Sequence, residues 1–355
     1  TSARARAERG VGAAVNRIRL LTSGPPAGAL ARRFPPACAQ VAPLPAWESD
    51  GADGLRLVLP LAGDFLAGAE RLVPSLSSLV ASDYAFRFGL RARSGGTMSP
   101  WMRLTRIGRA PADAGSMPAD VTDAGAAIGA DVDTFRLRTP LAGAELEIRV
   151  WTAAPDEFRR APCLLALSVA GGEAAPTMSA PGADVGPLPV PALSQMGEAD
   201  AIRMRICSPT SVAMVLGSLG MPVTVAAMAA AAHCPAHDRY GVWPANVWAA
   251  SRRGALGAVV SLDRWDCARA LLAGGLPLVI SEAHGPGALP GSPLPETDGH
   301  LLVLRGLRGE RALVNDPAAP SPDAVPMEYE IAAFVRAWLG HGGIAYVFVA
   351  PEGRH

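Results

Sequence analysis

Four residues in the second half of the chain, in the order Gln, Cys, His, Asp, are of the types that run thiol-based acyl transfer. Cys207 opens Cys207-Ser208-Pro209-Thr210-Ser211, directly ahead of a predicted helix over 210–219. A thiol at a helix start meets the positive end of the dipole and N–H groups without partners, and both favour the nucleophilic thiolate. Pro209 suits that first turn, because its missing N–H would have had no partner there. His300 follows Gly299 at the head of the apolar run Leu301-Leu302-Val303-Leu304. That run predicts a strand with an imidazole at its edge, where it can reach a thiol on a facing helix. Asp316, in Val314-Asn315-Asp316-Pro317, comes sixteen residues later, about the length of a hairpin. Its carboxylate is expected on the neighbouring strand, where it would fix the tautomer and the charge of His300. Gln195 lies twelve residues before Cys207. Its amide, with the Cys207 N–H, could hold a developing oxyanion. Singly, each residue has an ordinary use: a small buried thiol, a strand-end histidine, an Asp-Pro turn signal, a loop glutamine. Only the combination points to chemistry.

The elements that must position these groups are legible in the same half. Val212, Val215, Leu216 and Leu219 recur at i, i+3, i+4 and i+7, which predicts the helix, and Gly220 and Pro222 stop it. Further helices are predicted over 245–251 and 331–338, and strands over 277–281, 301–305, 312–315 and 345–349. Helices first and an antiparallel sheet after is an α+β order. Upstream, strands are predicted over 55–59, 84–92, 134–138, 145–151 and 163–169. Arg87-Phe88-Gly89-Leu90-Arg91 alternates polar with apolar, and Ser94-Gly95-Gly96 marks a turn. Short strands between turns suggest an all-β sandwich-like accessory domain, with an irregular α+β domain as the alternative. The expected division is a poorly ordered arm over 1–42, the β-rich domain over 43–172, a linker rich in Gly, Ala and Pro over 173–189, and the domain bearing the chemistry over 190–355.

Bulk properties narrow the class. The 355 residues suffice for two domains, and half of them are hydrophobic. Lys plus Arg and Asp plus Glu both number 32, so the net charge is zero. That balance leaves no electrostatic footprint for nucleic acid or an anionic membrane surface. No apolar run approaches the roughly 18 residues of a membrane span. The arginine-rich first forty residues lack the apolar core of a secretory signal, and the chain begins on Thr1, which fits a processed N-terminus. The five cysteines, Cys38, Cys163, Cys207, Cys234 and Cys267, are widely spaced with no C-x-x-C pair. They argue against a disulfide framework and favour a reducing, cytoplasmic compartment. His233-Cys234-Pro235-Ala236-His237 offers too few ligands for a zinc site. Ser281-Glu282-Ala283-His284 holds serine, acid and base, but no G-x-S-x-G elbow accompanies it. No nucleotide motif is visible, so neither metal nor cofactor is expected.

With these residues in place, the sequence over roughly 188–350 resembles the papain-like cysteine peptidases of the bacteriocin-processing, double-glycine leader type, in their stand-alone bacterial branch. The resemblance rests on VPALSQ, CSPTSVAMVLGSLG, YGVWPANVWAASRRG, GGLPLVIS, GHLLVLRG, VNDPAAP and YEIAAFVRAW. It implies a papain-like α+β fold, with the Cys-bearing helix packed on an antiparallel sheet. It assigns Cys207 as nucleophile, His300 as general base, Asp316 as the residue orienting His300, and Gln195 as oxyanion donor. Tyr240, Trp243 and Asn246, in YGVWPANV, would line the substrate groove or pack the core. Ser99-Pro100-Trp101 lies in a region similar to accessory domains that precede some bacterial members. The chain carries no transporter segments, and the charged stretch 198–205 between Gln195 and Cys207 departs from the family pattern.

The expected activity is therefore a cysteine peptidase or amidohydrolase acting on a peptide or amide through a thioester acyl-enzyme. The alternatives are an acyltransferase or amide ligase that discharges the same intermediate onto an amine or thiol, and a binding protein on a relic catalytic fold. Oligomeric state is not legible.

Overall fold

The structure is a computed structural model, and it describes residues 17–94, 97–110, 127–171 and 183–351. The strands form three sheets. The first runs, in spatial order, β10 (Ile128–Ala130), β11 (Phe135–Leu137), β5 (Arg71–Ser78), β13 (Cys163–Ala170), β1 (Arg17–Ser23) and β2 (Ala39–Pro43). The second runs β3 (Glu48–Ser49), β4 (Gly54–Ala62), β12 (Gly143–Thr152), β6 (Tyr84–Ser94) and β7 (Thr97–Met98), with β8 (Met102–Arg103) and β9 (Ile107–Gly108) also paired to β6. The third is antiparallel throughout: β14 (Leu256–Ser261), β19 (Ile344–Val349), β15 (Leu278–His284), β16 (Thr297–Arg308), β17 (Arg311–Asn315) and β18 (Pro326–Glu330). Helices α1 (Pro25–Arg33), α2 (Gly63–Leu66) and α3 (Pro155–Arg160) accompany the first two sheets. Helices α4 (Cys207–Ser218), α5 (Val225–Ala232), α6 (Trp243–Ser251), α7 (Trp265–Ala273) and α8 (Ile331–Trp338) accompany the third.

Period-two alternation explains how the first two sheets meet. Leu55, Leu57 and Leu59 on β4, Phe86 and Phe88 on β6, and Leu146 and Ile148 on β12 share one hydrophobic cluster with Leu72, Leu76, Leu165 and Leu167 of the first sheet. Strand β13 does not alternate. All eight of its residues are buried, because its sheet is covered on both faces. Leu165, Leu167 and Val169 face the second sheet, while Leu164 and Ala166 join Leu256, Ala258 and Val260 of β14 in a separate cluster.

This packing buries the free edge of the third sheet. Strand β14 is that edge, and backbone groups left unpaired there would be costly. Serines from the first sheet satisfy them. Ser77 Oγ donates to the Gly257 carbonyl at 2.8 Å and accepts from the Gly257 N–H at 3.1 Å. Ser75 Oγ accepts from the Val259 N–H at 2.9 Å, and Ser168 Oγ from the Ser261 N–H at 3.2 Å. All three serines are fully buried.

Four expectations change. Residues 17–43 are not a loose arm; they form β1, α1 and β2, and β1 pairs with β13 from Arg17 to Ser23. The partner strand lies far along the chain, so arginines flanking Ile18 and Leu20 masked a buried strand. The remainder of that arm, residues 1–16, lies outside the described residues. The β-rich part is not an all-β body with a core of its own, since it carries α1 to α3 and shares its clusters with the third sheet and its helices. Of the expected linker, 173–182 lies outside the described residues, but its end is docked. Val185 and Leu307 exchange N–H···O=C bonds of 3.0 and 2.8 Å, and the Leu188 N–H donates to Arg305 at 2.7 Å. Finally, Cys38 and Cys267 form a disulfide across 229 residues, joining the segment before β2 to α7. Spacing along the chain carries no signal for so remote a pairing. Among the described residues, no helix is long and apolar enough to cross a membrane.

Peptide mapping of the unreduced protein should recover Cys38 linked to Cys267. Cys38→Ser, or reduction, should cost about 2–4 kcal/mol in denaturant unfolding. Two free thiols at these positions in the natively purified protein would rule the bond out.

Candidate active site

The nucleophile candidate begins its helix. Cys207 is the first residue of α4, and no side chain caps the preceding Ile206, so the first N–H groups stay open. The helix is seated by two hydroxyls. Ser211 Oγ donates to the Leu301 carbonyl on β16 at 3.0 Å, and Ser208 Oγ and the Tyr346 hydroxyl on β19 lie 3.1 Å apart. The first of these contacts ties α4 to the residue after His300. Gly220, at φ +75°, turns the chain away just beyond the helix end.

His300 and Asp316 come from the β16–β17 hairpin. The register pairs Val303 with Asn315, so Asp316 sits diagonally across from His300 rather than opposite it. His300 Nε2 donates to Asp316 Oδ1 at 2.8 Å. The Cys207 thiol interacts with the His300 ring, and with Nε2 turned to Asp316 the ring's Nδ1 is the nitrogen left for the thiol. His300 is 2% exposed and Asp316 0%, whereas Cys207 is half-buried. Of the three, Cys207 is the residue that keeps exposed surface.

Asp316 has further donors. Its Oδ1 also accepts from the Ala318 N–H at 2.9 Å, and its Oδ2 from the Tyr329 hydroxyl at 2.8 Å. The Asp-Pro turn is real as well, since the Ala319 N–H donates to the Asp316 carbonyl at 3.2 Å. One residue serves both the turn and the imidazole. Tyr329 was not singled out from the sequence. Its signal was there, an inward-facing aromatic between Glu328 and Glu330 on β18, but a tyrosine on a short strand is commonly only core.

Gln195 is stitched to the same turn. Its N–H donates to the Pro317 carbonyl at 2.9 Å, and Ser194 Oγ donates to that of Ala319 at 2.6 Å. Asn315 Nδ2 donates to the carbonyls of Val190 and Pro191, each at 3.1 Å. The Gln195 Nε2 donates to the Arg203 carbonyl at 2.7 Å, which gives the charged 198–205 stretch a structural task. One N–H of that amide remains unused, and Oε1 is buried without a partner.

The other sequence candidates separate. Asn246 is fully buried, and its Nδ2 donates to the carbonyls of Tyr240 and Val242 at 2.8 and 2.9 Å. Its amide holds the turn before α6. The Tyr240 ring lies 4.7 Å from that of His233 and 5.4 Å from the Arg205 guanidinium. Trp243 borders a surface cavity of about 1170 Å³, shared with Arg71, Arg103 and Asp133. None of Cys207, His300 and Asp316 lines that cavity.

Electrostatics favour a thiolate–imidazolium pair. Burial alone would raise the Cys207 thiol. The hydrogen bond to His300, its charge, and the N–H groups of Leu301 and Ser208 outweigh that and hold it below an ordinary thiol. Burial would lower His300, but the charge and hydrogen bond of Asp316, with those of Cys207, hold it well above an ordinary imidazole. Burial would raise Asp316, but His300, the Ala318 N–H and Tyr329 keep it below the usual carboxylate range. The other free cysteines go the opposite way, with burial pushing Cys163 up to about 12 and raising Cys234. Of the three free thiols, Cys207 is thus the one whose thiolate is favoured.

The signs set a pH window. A raised His300 contributes stability that is full below its unfolded value near 6.5 and is lost as pH rises through the folded value. Lowered Cys207 and Asp316 contribute stability present above their unfolded values and lost as pH falls through the folded ones. Alkylation of Cys207 by iodoacetamide should therefore persist at pH 6, where a free thiol has slowed by about two orders of magnitude. Asp316→Asn should remove this advantage, and Tyr329→Phe should weaken it. Equal rates for the wild type and Asp316→Asn across pH 5–9 would sink the ion-pair account.

Residues 187–346 match the model of a family described as the Peptidase_C39 like family. Three solved structures also align. A double glycine motif protease from an AMS/PCAT transporter, in complex with the leader peptide, is 19% identical, covers 47% of this chain and 98% of its own, and has a TM-score of 0.33. A putative C39-like peptidase from Bacillus anthracis is 19% identical, covers 48% and 99%, and has a TM-score of 0.38. The peptidase domain of Streptococcus ComA, a bi-functional ABC transporter involved in a quorum sensing pathway, is 16% identical, covers 46% and 99%, and has a TM-score of 0.33. No curated protein matches the chain.

Proposed function

We propose, since residues 187–346 match the model of the Peptidase_C39 like family, that this chain is a cysteine peptidase that cleaves a peptide or amide bond through a thioester on Cys207. The observation that carries the reading is the buried His300–Asp316 hydrogen bond beside Cys207, whose thiol the His300 ring influences.

The Cys207 thiolate attacks the scissile carbonyl carbon, and the C=O π pair moves to oxygen. The Cys207 N–H and the remaining N–H of Gln195 hold that oxyanion. As the tetrahedral species collapses, the imidazolium of His300 gives its Nδ1 proton to the leaving nitrogen and the C–N bond breaks. Neutral His300 then takes a proton from water. The hydroxide attacks the thioester, the carboxylic acid product leaves, and the thiolate and imidazolium are restored. Asp316 keeps Nε2 protonated and balances the ring's charge, and Tyr329 keeps Asp316 pointed at the ring. No step needs a metal or a cofactor.

Asn246 sets the turn before α6 through the carbonyls of Tyr240 and Val242. The first two sheets form a β-rich accessory unit over residues 17–170, and 190–351 form the catalytic part.

Cys207→Ala should abolish cleavage of a peptide library, and intact mass spectrometry of the wild type should show an acyl adduct on Cys207 alone. Gln195→Ala should lower kcat by about 10²-fold with little change in KM. Cleavage that survives Cys207→Ala would falsify the proposal.

A further inference from the structure

A second histidine–carboxylate pair lies beside the catalytic row and takes no part in the mechanism above. Glu282 on β15 stands directly opposite His300 on β16. Opposed residues of an antiparallel pair point to the same face, with Cβ atoms about 5 Å apart. His300 therefore occupies the middle strand of three, with the Asp316 carboxylate on its β17 side and the Glu282 carboxylate on its β15 side.

Glu282 is 0% exposed, and its Oε2 lies 2.8 Å from His284 Nδ1. Its Oε1 is buried with no partner. A carboxylate so placed is costly unless something nearby answers it. A register shift between Glu282 and His284 marks a bulge at this point, the kind of local irregularity that re-aims side chains. His284 Nε2 lies 3.2 Å from the Leu294 carbonyl, which can only accept, so Nε2 carries a proton. The remaining proton of the pair lies between Nδ1 and Oε2. Burial raises Glu282, and the hydrogen bond to His284 with the charges of His300 and His284 opposes that rise; with the shared proton on Nδ1, the negative end of the pair is Glu282, the member facing His300.

We propose that Glu282, held by His284, is a positioning residue for His300: it sets a second carboxylate beside the imidazolium and widens the pH range over which His300 stays charged.

The proposal rests on the reading of His300 as the acid–base group of the site. The surroundings support it. Glu282 and His300 interact electrostatically, as Glu282 does with Asp316 and Tyr329. The groups facing His300 are Cys207 from α4, Asp316 from the end of β17, and Glu282 from β15; the Tyr329 hydroxyl of β18 reaches it through Asp316. Of the other elements packed on β15, β19 brings Tyr346, which is bonded to Ser208, and the turn after α8 brings the half-buried His341. The charges of the two helices point elsewhere: Asp266 and Arg336 are exposed, and Arg269 donates to the Ala183 carbonyl. No other carboxylate among these groups stands on the β15 side of His300. The sequence contained a trace of this pair, an acid and a histidine two apart at the end of an apolar strand.

The deciding measurement is an NMR titration of the His300 imidazole in the full chain, on a Cys207→Ala background, with and without Glu282→Gln. Glutamine keeps the bond to His284 and removes the charge. His300 should titrate about one pH unit lower in Glu282→Gln. With Cys207 present, the alkaline limb of kcat/KM should move down by the same amount while KM holds. If Glu282→Gln does not fold, His284→Gln serves, because an unpaired buried Glu282 takes up a proton and loses the same charge. An unmoved titration in a folded variant overturns the proposal, whatever happens to Tm. A shifted titration in a protein that cleaves no peptide supports the coupling and counts only against the catalytic reading.

Discussion

A carboxylate with no exposed surface organises this structure. Asp316 is out of water, and an ion so placed is tolerated only if donors surround it. His300 Nε2, the Ala318 N–H and the Tyr329 hydroxyl supply them. Each donor comes from a different piece of chain, so satisfying one carboxylate fixes a strand, a turn and a second strand together. Gln195 joins through Pro317, and α4 joins through Ser211 and the Leu301 carbonyl. The polar groups of the site and the packing of the sheet are thus one constraint. Half-satisfied, such a network would destabilise the fold; complete, it holds His300 in place beside Cys207.

The first two sheets solve a different problem. The third sheet ends in β14, whose outer edge would otherwise be a template for pairing with another chain. The first sheet lies across that edge and answers it with serine hydroxyls rather than with a strand. This is why Ser75, Ser77 and Ser168 stand among mostly apolar residues in their strands, and why they are fully buried. The Cys38–Cys267 bond ties the same two regions covalently on the α7 side. The first two sheets are therefore packed into the third sheet and its helices, not carried beside them.

Glu282 and His284 extend the same logic along the sheet. Glu282 on β15, His300 on β16 and Asp316 just after β17 stand side by side, two acids flanking one imidazole, and all are buried. Coupled groups at this distance titrate together, so the charge on His300 belongs to the set rather than to one partner.

What the chain's own pattern determined is local. The period of Val212, Val215 and Leu216 specified α4; Gly299 before an apolar run specified the start of β16's buried stretch; and 331–338 read as a helix with the bounds α8 has. Cys207, His300 and Asp316 were legible because a hairpin converts a fixed spacing into proximity. Tertiary structure decided whatever depends on residues far apart in the chain. Arg17–Ser23 reads as polar until β13 lies beside it, and β14 as any apolar run until serines meet its edge. Helix α5, nearly all alanine, has no periodic contrast to read. Cys38 finds Cys267 across 229 residues, Tyr329 finds Asp316 only after β18 pairs with β17, and Glu282 faces His300 only in the folded register. The reason is physical: helix and hairpin geometry act over a few residues, whereas burial, which turns a serine, a tyrosine or a glutamate into a necessary partner, is a property of the whole packed chain.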